Sequence, residues 1–563
     1  MRRGVSVVNK KVCSFPILFA LLALLIGTCA VVFPASAQAA PTSTGSITVS
    51  GTVASSYDAY QIFSANVVDG DSDAKIATDL AWASDAVRNA ALPVLHSAGM
   101  PNSQATAQEA AEWLNTDSHL TSALSAQLAR SLQSSGAVSV ALNAGTTAER
   151  PCGYWLIVAK DDAISQNEAG TAPVMVLVGG SAVTVKPKAA TPKVAKHVLE
   201  DSTAAWRKAA DATVADDLYW RLSATVPAGL AAYDTYTVRF VDTMSAGLDP
   251  SKVAASMRVY VAVGADGGFD AVSAGRDGRA GTEPAKGWTD ITAQCATKVA
   301  ADGKTFTVRT GDLIAALGGA DAFTAGARVV AVYNAPLTSA CNHGIAKGNP
   351  NEVYLRYPRS PFADQSGDAG FTRTPSDDAC AYTWDLALTK RGSDGDKPLA
   401  GAVLSIADDR GRTLAADGTW DAEGKATVTT GEDGRVTVSG VDSGKLEVRE
   451  LKAPKGYTAF ESTRSVTVKA EGLDVDQVAA AKPKLTITAE SPLRADSADG
   501  STGSLEASLI NTPTGTPPSI TTGGFMPSTG DMAMYAAAAA AVAGAALIVV
   551  ALLVKRGGGS HKE

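Results

Sequence analysis

Short runs of alternating polar and apolar residues, separated by turn residues, fill most of this chain and predict strands. Ser46–Val53 alternates with period two, and Tyr57–Phe63 (YDAYQIF) reads as a second strand. The period then changes in an Ala-rich stretch from Ala77 to Leu132. There Leu80, Ala83, Val87 and Ala91, and again Leu114, Leu120, Leu124 and Leu128, fall at helical spacing, with Pro93 and Pro101 expected to break the stretch into pieces. Strand pattern returns at Cys152–Lys160 (CGYWLIVAK) and Pro173–Val178. A second region gives strands at Lys193–Leu199, Tyr236–Val241, Val259–Val263, Thr305–Val308, Arg328–Tyr333 and Glu352–Tyr357. A third gives Trp384–Lys390, Ala402–Asp408, Gly434–Val438, Lys445–Leu451, Arg464–Lys469, Lys484–Ala489 and Leu505–Asn511. The expected architecture is mainly β. An α+β domain over 38–187 precedes two β-sandwiches, over 188–361 and 380–512, and a Thr/Pro/Gly-rich stretch at 513–525 reads as a flexible spacer.

Both ends depart from this pattern. Arg2, Arg3, Lys10 and Lys11 precede an apolar stretch from Phe15 to Phe33, and Ala35-Ser36-Ala37 then offers small residues for cleavage, so residues 1–37 read as a signal peptide. At the other end an uncharged run of 23 residues, Met532–Val554, is followed by Lys555-Arg556. At ~1.5 Å rise per residue such a helix crosses a bilayer core, and the basic pair holds its end on the cytoplasmic side. Met526-Pro527-Ser528-Thr529-Gly530 stands just before it, and Pro527 presents this peptide kinked and extended.

The net charge of -8 excludes nucleic acid as a partner, which needs a basic surface. Of six cysteines, Cys13 and Cys29 leave with the signal peptide. Cys152, Cys295, Cys341 and Cys380 remain, an even number that permits two disulfides in a secreted chain. Cys295 with Cys341 is the expected pair, since both fall in one predicted domain. The histidines (His96, His119, His197, His343, His561) are scattered, with no metal-ligand spacing. Asp69, Asp71 and Asp73 resemble the start of a calcium loop. Ala74 stands where that loop needs Gly and Leu80 where it needs Glu, so the cluster reads as a solvated turn. No phosphate-binding glycine loop and no G-x-S-x-G occurs, so the sequence points to no cofactor, no metal and no turnover active site.

The third region carries the clearest motifs. Trp384-Asp385-Leu386-Ala387-Leu388-Thr389-Lys390 is followed by Pro398-Leu399-Ala400-Gly401-Ala402, then by Glu450-Leu451-Lys452-Ala453-Pro454-Lys455-Gly456-Tyr457, and the last strand ends at Leu509-Ile510-Asn511-Thr512. This set resembles the CnaB-type (SpaA-like) domain of Gram-positive pilins and adhesins. The resemblance implies an internal isopeptide bond between Lys390 and Asn511, with Glu450 as proton shuttle. Burial lowers a lysine pKa, so the neutral amine can attack, and a buried carboxyl stays protonated and polarises the amide. Attack on the Asn side chain releases ammonia once per molecule, which is self-modification and not turnover.

A parallel set lies in the second region: Lys193-Val194-Ala195-Lys196, then Tyr236–Thr243 (YTVRFVDT), then Gly348-Asn349-Pro350-Asn351-Glu352-Val353-Tyr354. It resembles the fimbrial isopeptide-forming D2 domain and implies a bond from Lys196 to Asn351 with Asp242 as shuttle, Asn349 being the alternative partner. If first and last strands lie side by side and parallel, Lys196 and Asn351 meet. The first domain has no lysine before Lys75 in its mature sequence and is expected to lack such a bond.

MPSTG followed by the apolar run and basic stop resembles the LPxTG sorting signal, with scission implied between Thr529 and Gly530. Val183-Thr184-Val185-Lys186-Pro187-Lys188 resembles the pilin motif, which implies Lys188 as the amine that takes the sortase acyl group. Lys186 replaces the motif's Tyr, and Lys186 and Lys193 are rival acceptors. The whole chain is thus similar to a shaft subunit of a sortase-assembled pilus. That resemblance implies a pilin-class sortase, identical head-to-tail subunits, accessory tip or base pilins, a host or bacterial surface receptor and peptidoglycan as partners. It implies membrane contact only before sorting, and a final place on the Gram-positive cell wall. An accessory pilin or wall-anchored adhesin built from the same domains is the alternative. A secreted wall enzyme would need a catalytic set in the first domain, where the sequence offers none.

Overall fold

The computed structural model describes residues 43–515, except 72–73, 117, 171, 188–190, 229, 264–286, 321–325 and 461. The signal peptide, the sorting motif with Thr529 and Gly530, the apolar run 532–554 and Lys188 therefore lie outside the described residues. Among the described residues no helix is long and apolar enough to cross a membrane.

The first domain is built around one long strand, Ser56–Asp69. It pairs with Lys75–Trp82, Val140–Asn143 and Gly153–Ala159, and Val174–Val178 extends the sheet. Tyr57 and Ala59 face a small sheet of Thr44–Val49, Thr147–Pro151 and Val183–Val185. Tyr60, Ile62 and Phe63 face three helices instead. Tyr60 and Ile62 do so by ordinary alternation; a register shift between Gln61 and Phe63 puts Phe63 on the same side as Ile62, and beside that bulge Gly153 comes so close that a Cβ would sit 2.0 Å from Phe63 O. The helices are Asp85–Ser97, Ala107–Asn115 and Ser122–Ser134. Ser84, Thr106 and Thr121 cap their first turns by accepting backbone N–H groups, and Thr106 with Glu109 forms a capping box.

Two sequence expectations are corrected here. Leu80 belongs to the strand Lys75–Trp82 and Ala83 to the turn after it, because the chain returns in a hairpin against Ser56–Asp69 before the first helix starts. Pro93 does not break a helix; it lies within Asp85–Ser97 on the exposed side, while Val87, Ala91 and Leu95 fill the core.

The second domain is a sandwich. One sheet has the order Ala205–Arg207, Val194–Glu200, Tyr219–Val226, Ala327–Asn334, Arg258–Val263, Thr289–Asp290. The facing sheet runs Ala209–Asp211, Asp377–Tyr382, Asn349–Pro358, Arg239–Met244, Thr305–Arg309, Ala296–Val299, and Phe371–Arg373 pairs with Asn349–Pro358. Trp220, Phe240, Phe306 and Tyr333 lie between the sheets, each essentially inaccessible to solvent. Two of these strands, Phe371–Arg373 and Asp377–Tyr382, follow Asn351 in the chain.

The third domain is a second sandwich. Its first strand, Trp384–Gly392, lies parallel to its last, Ser504–Pro513, with Arg435–Val441 on the other side. The facing sheet centres on Val403–Ala407, Gly444–Lys452 and Arg464–Glu471. Leu386, Leu388, Leu404, Ile406, Val448 and Val466 alternate inward to form its core.

Only Thr383 separates the last strand of the second domain from the first of the third. Ala209–Asp211 runs parallel to Cys380–Tyr382 and carries Asp211 across the junction. There the Asp211 carboxylate accepts from Trp384 Nε1 at 2.7 Å and from Ser443 N at 3.0 Å. Arg410 reaches back to Asp201 at 3.0 Å and Asp216 at 2.9 Å.

Candidate functional site: two buried lysine–carboxyl–asparagine clusters

In the third domain the parallel register places Lys390 opposite Leu509 and Gly392 opposite Asn511. Lys390 and Asn511 are therefore two positions apart on neighbouring strands and share the inward face. Glu450 arrives from the opposite sheet on Gly444–Lys452. Lys390 Nζ lies 3.6 Å from Glu450 Oε1 and donates to Leu509 O at 3.2 Å. Asn511 Nδ2 donates to both Glu450 oxygens, at 2.9 and 3.0 Å, and Phe460 N donates to Oε2 at 3.1 Å. All three side chains are buried.

The second domain reaches the same grouping by another route. The expectation that the Lys196 and Asn351 strands lie side by side is corrected: Val194–Glu200 and Asn349–Pro358 belong to facing sheets. Lys196 and Asn351 approach each other across the sandwich, because inward positions of opposed sheets interdigitate. Asp242 sits beside Asn351 on the next strand, Arg239–Met244, in the register that pairs Met244 with Asn351. Lys196 Nζ donates to Asp242 Oδ2 and, at 2.9 Å, to the Tyr333 hydroxyl. Tyr333 donates to Asp242 Oδ2 at 3.0 Å and accepts from Asn351 Nδ2 at 2.8 Å. Lys196, Asp242, Tyr333 and Asn351 are each 0% exposed. Asn349 faces elsewhere, bonding Asn342 and Ala381 O, so the cluster takes Asn351. Sequence reading missed Tyr333. It alternates inward along Ala327–Asn334 like any core aromatic, and nothing local marks its hydroxyl.

Burial sets the electrostatics. It pushes the Lys196 ammonium down to about 8, against the opposing pull of Asp242. It does the same to Lys390, again to about 8, against Glu450. Burial also raises the Asp242 carboxyl above its ordinary range, with Lys196 pulling the other way. Both partners of the Lys196–Asp242 pair thus shift toward their neutral forms. A neutral amine, a protonated acid and an amide in one dry site are the reactants of amide exchange.

The remaining candidates fall away from these clusters. The expected Cys295–Cys341 disulfide is not formed; Cys152, Cys295, Cys341 and Cys380 are all free thiols. Cys295 ends a short helical turn and its thiol donates to Ile291 O at 3.2 Å, whereas Cys341 sits in a separate loop, 3.7 Å from His343 Nε2. Burial pushes the thiols of Cys295, Cys341 and Cys380 up to about 11, which leaves them protonated and inert at neutral pH. Asp69 accepts from Ser181 N at 2.9 Å and Ser181 Oγ at 3.0 Å, which makes it a turn-holding residue. Among the described residues no group of His, Cys, Asp and Glu is arranged to hold a metal ion. Lys186 and Lys193 are exposed.

The junction of the second and third domains contains a second perturbed group. Glu200 is 4% exposed and accepts from Ser202 N at 3.2 Å. Burial, then the neighbouring Asp211 charge, pushes its carboxyl up to about 7. The folded state therefore keeps a proton that the unfolded chain gives up at its ordinary, lower pKa. Stability from this group falls as pH rises through that window toward 7. Glu200→Gln is expected to gain thermal midpoint relative to the wild type as pH rises from 5.5 to 7.5 in calorimetry; His197, which burial holds down to about 4, adds the opposite slope to both proteins and cancels in the comparison. An identical slope in the variant would refute the assignment.

Taken together, the fold defines a chain of tandem β-sandwiches behind an α+β domain. Residues 385–482 match the family model of the SpaA prealbumin-like fold domain, and the third domain is a domain of that type. The chain is 30% identical over 129 residues to the trypsin-resistant surface T6 protein of Streptococcus pyogenes serotype M6, and the match spans 22% of this chain and 22% of that protein. Among solved structures it is similar to the T6 backbone pilin of serotype M6 Streptococcus pyogenes, at 17% identity and a TM-score of 0.45, covering 84% of this chain and 98% of that one. It is also similar to the full-length major pilin SpaD from Corynebacterium diphtheriae, at 14% identity and a TM-score of 0.41, covering 84% and 98%. The structural likenesses are loose and concern the fold.

Proposed function

We propose that this chain is the shaft subunit of a covalently polymerised pilus on a Gram-positive cell surface. A sortase joins Thr529 of one subunit, cut from Gly530, to Lys188 of the next. Intramolecular amide bonds, Lys196–Asn351 and Lys390–Asn511, stiffen each subunit. The chain is a structural protein and a sortase substrate, and its own chemistry occurs once per molecule. Accessory pilins, a surface receptor and peptidoglycan complete the partner set. The observation that carries this reading is the pair of buried lysine–carboxyl–asparagine clusters in successive sandwiches. Buried charged groups are costly unless paired, and the same three groups brought together by two different strand arrangements are hard to explain as packing alone. Head-to-tail joining through two different surfaces gives an open fibre.

Intact mass tests it directly. Each bond removes ammonia, about 17 Da, by condensation of the amine with the amide. The secreted chain is expected to weigh two such losses less than its sequence. A mass equal to the unmodified sequence would overturn the reading.

A further inference from the structure

The two clusters differ in one respect that has a chemical meaning. In the third domain Glu450 touches Asn511 Nδ2 with both oxygens, so acid and amide are in direct contact. In the second domain the acid is Asp242, one methylene shorter. No hydrogen bond joins Asp242 to Asn351 among the described residues, and the Tyr333 hydroxyl stands between them. That hydroxyl lies 2.9 Å from Lys196 Nζ, 3.0 Å from Asp242 Oδ2 and 2.8 Å from Asn351 Nδ2. One oxygen therefore touches the attacking group, the acid and the departing nitrogen. The ring is held for this. It packs edge-on against Phe306 at 4.8 Å between centroids, on a strand at the middle of its sheet.

We propose that Tyr333 is a catalytic residue of bond formation in the second domain, carrying the proton from Asp242 to the leaving amide nitrogen of Asn351. The proposal rests on the reading that a Lys196–Asn351 bond forms. The neutral Lys196 amine attacks Asn351 Cγ. A C–N bond forms, and the carbonyl electron pair moves to Oδ1. The amide nitrogen, a poor acceptor while conjugated, now has a free lone pair. Both hydrogen bonds of the Tyr333 hydroxyl then reverse, the one with Nδ2 and the one with Asp242, and Tyr333 donates its proton to Nδ2 while taking one from protonated Asp242. The Cγ–Nδ2 bond breaks and ammonia leaves. Asp242, now ionised, removes the extra proton from Lys196 Nζ. Tyr333 and Asp242 end as they began, and the only net loss is one ammonia. Burial holds the Tyr333 hydroxyl well above its ordinary pKa, so it remains a neutral donor throughout. In the third domain the longer Glu450 needs no such bridge.

The test compares the wild type, Tyr333→Phe, Asp242→Glu and the double variant Asp242→Glu/Tyr333→Phe. Each is followed from cell-free synthesis, where the chain starts unlinked, and sampled over time by intact mass, with the Lys196–Asn351 and Lys390–Asn511 peptides identified by fragmentation. The wild type is expected to form both bonds. Tyr333→Phe is expected to form the Lys390–Asn511 bond at the wild-type rate and the Lys196–Asn351 bond at least tenfold more slowly. The double variant is expected to regain it, since the added methylene reaches the amide as Glu450 does and fills the space of the lost hydroxyl. Wild-type speed in Tyr333→Phe, or no recovery in a folded double variant, would overturn the proposal. In a Lys196→Ala background, where no bond can form, Tyr333→Phe still loses the hydrogen bonds to Asp242 and Asn351 and is expected to lower the thermal midpoint, so the rates are compared only among variants that calorimetry shows to be folded at the temperature of the assay. A wild type that forms only the Lys390–Asn511 bond would sink the underlying reading for the second domain, an outcome distinct from failure of the Tyr333 role.

Discussion

Asn511→Ala is expected to lower the thermal midpoint of the third domain by roughly 15–20 °C. The Lys390–Asn511 bond would close a loop of 121 residues. In the loop-entropy treatment of cross-links, a loop of that size contributes about 4–5 kcal/mol by restricting the unfolded chain. A domain of this size converts each kcal/mol into ~3–5 °C. Alanine at 511 leaves Lys390 and Glu450 facing each other, so the buried charge keeps its partner and the loss reports mainly the cross-link. The substitution also opens a small cavity beside Leu509, which adds to the effect in the same direction. Scanning calorimetry on the secreted chain reads the midpoint, and intact mass should show one ammonia loss where the wild type shows two. A midpoint within a few degrees of wild type would mean that no bond forms there.

The second large effect concerns assembly. Lys188→Ala is expected to abolish the high-mass ladder that surface extracts of expressing cells give on a denaturing gel, leaving monomer. Lys186→Ala and Lys193→Ala are expected to keep it. An acceptor amine must be exposed and mobile, the opposite of a bond-forming amine. Lys196 and Lys390 are each 0% exposed and cannot serve. Lys186 and Lys193 are exposed and flank the segment 188–190, so the choice among the three rests on the pilin-motif spacing and not on access. A ladder that survives Lys188→Ala but not Lys186→Ala would move the acceptor by one turn of the motif. A ladder that survives all three would favour the accessory pilin or adhesin reading.

Much of this was legible in the sequence, for identifiable reasons. Lys390, Glu450 and Asn511 stand in contiguous motifs that resemble the CnaB-type domain, and it is that resemblance that named them; the structure adds that Lys390 follows Leu386 and Leu388 on the inward face. The sandwich cores were legible because one face of each strand is covered, so Leu386, Leu388, Leu404 and Ile406 announce themselves by period two. The same signal stands in Tyr219–Val226, where Trp220, Leu222, Ala224 and Val226 alternate with Arg221, Ser223 and Thr225, and sequence reading left that strand out; what the pattern does not announce is that Arg221 and Ser223 are buried too. Lys75–Trp82 looked helical because Leu80 and Ala83 continue the spacing of the helix that follows; only its pairing with Ser56–Asp69 makes it a strand. Tyr333 was beyond reach for a different reason. Its partners Lys196, Asp242 and Asn351 lie 137, 91 and 18 residues away, on three strands of two sheets. Which sheet each strand joins is a tertiary choice, and the same choice put Lys196 opposite Asn351 rather than beside it.

The order of strands in the second domain bears on how a loaded fibre gives way. In the third domain Lys390 and Asn511 lie on its first and last strands, so a bond between them would carry tension between its ends through covalent links. In the second, Phe371–Arg373 and Asp377–Tyr382 come after Asn351 and outside the loop that a Lys196–Asn351 bond would close. Tension arriving through Thr383 therefore meets hydrogen bonds first. Peeling the chain back to Asn351 frees about 30 residues, on the order of 100 Å at ~3.3–3.6 Å each, before the covalent path takes the load. Each subunit would then carry its own shock absorber, which dissipates a sudden pull by sacrificial unzipping and re-forms when the strain is released.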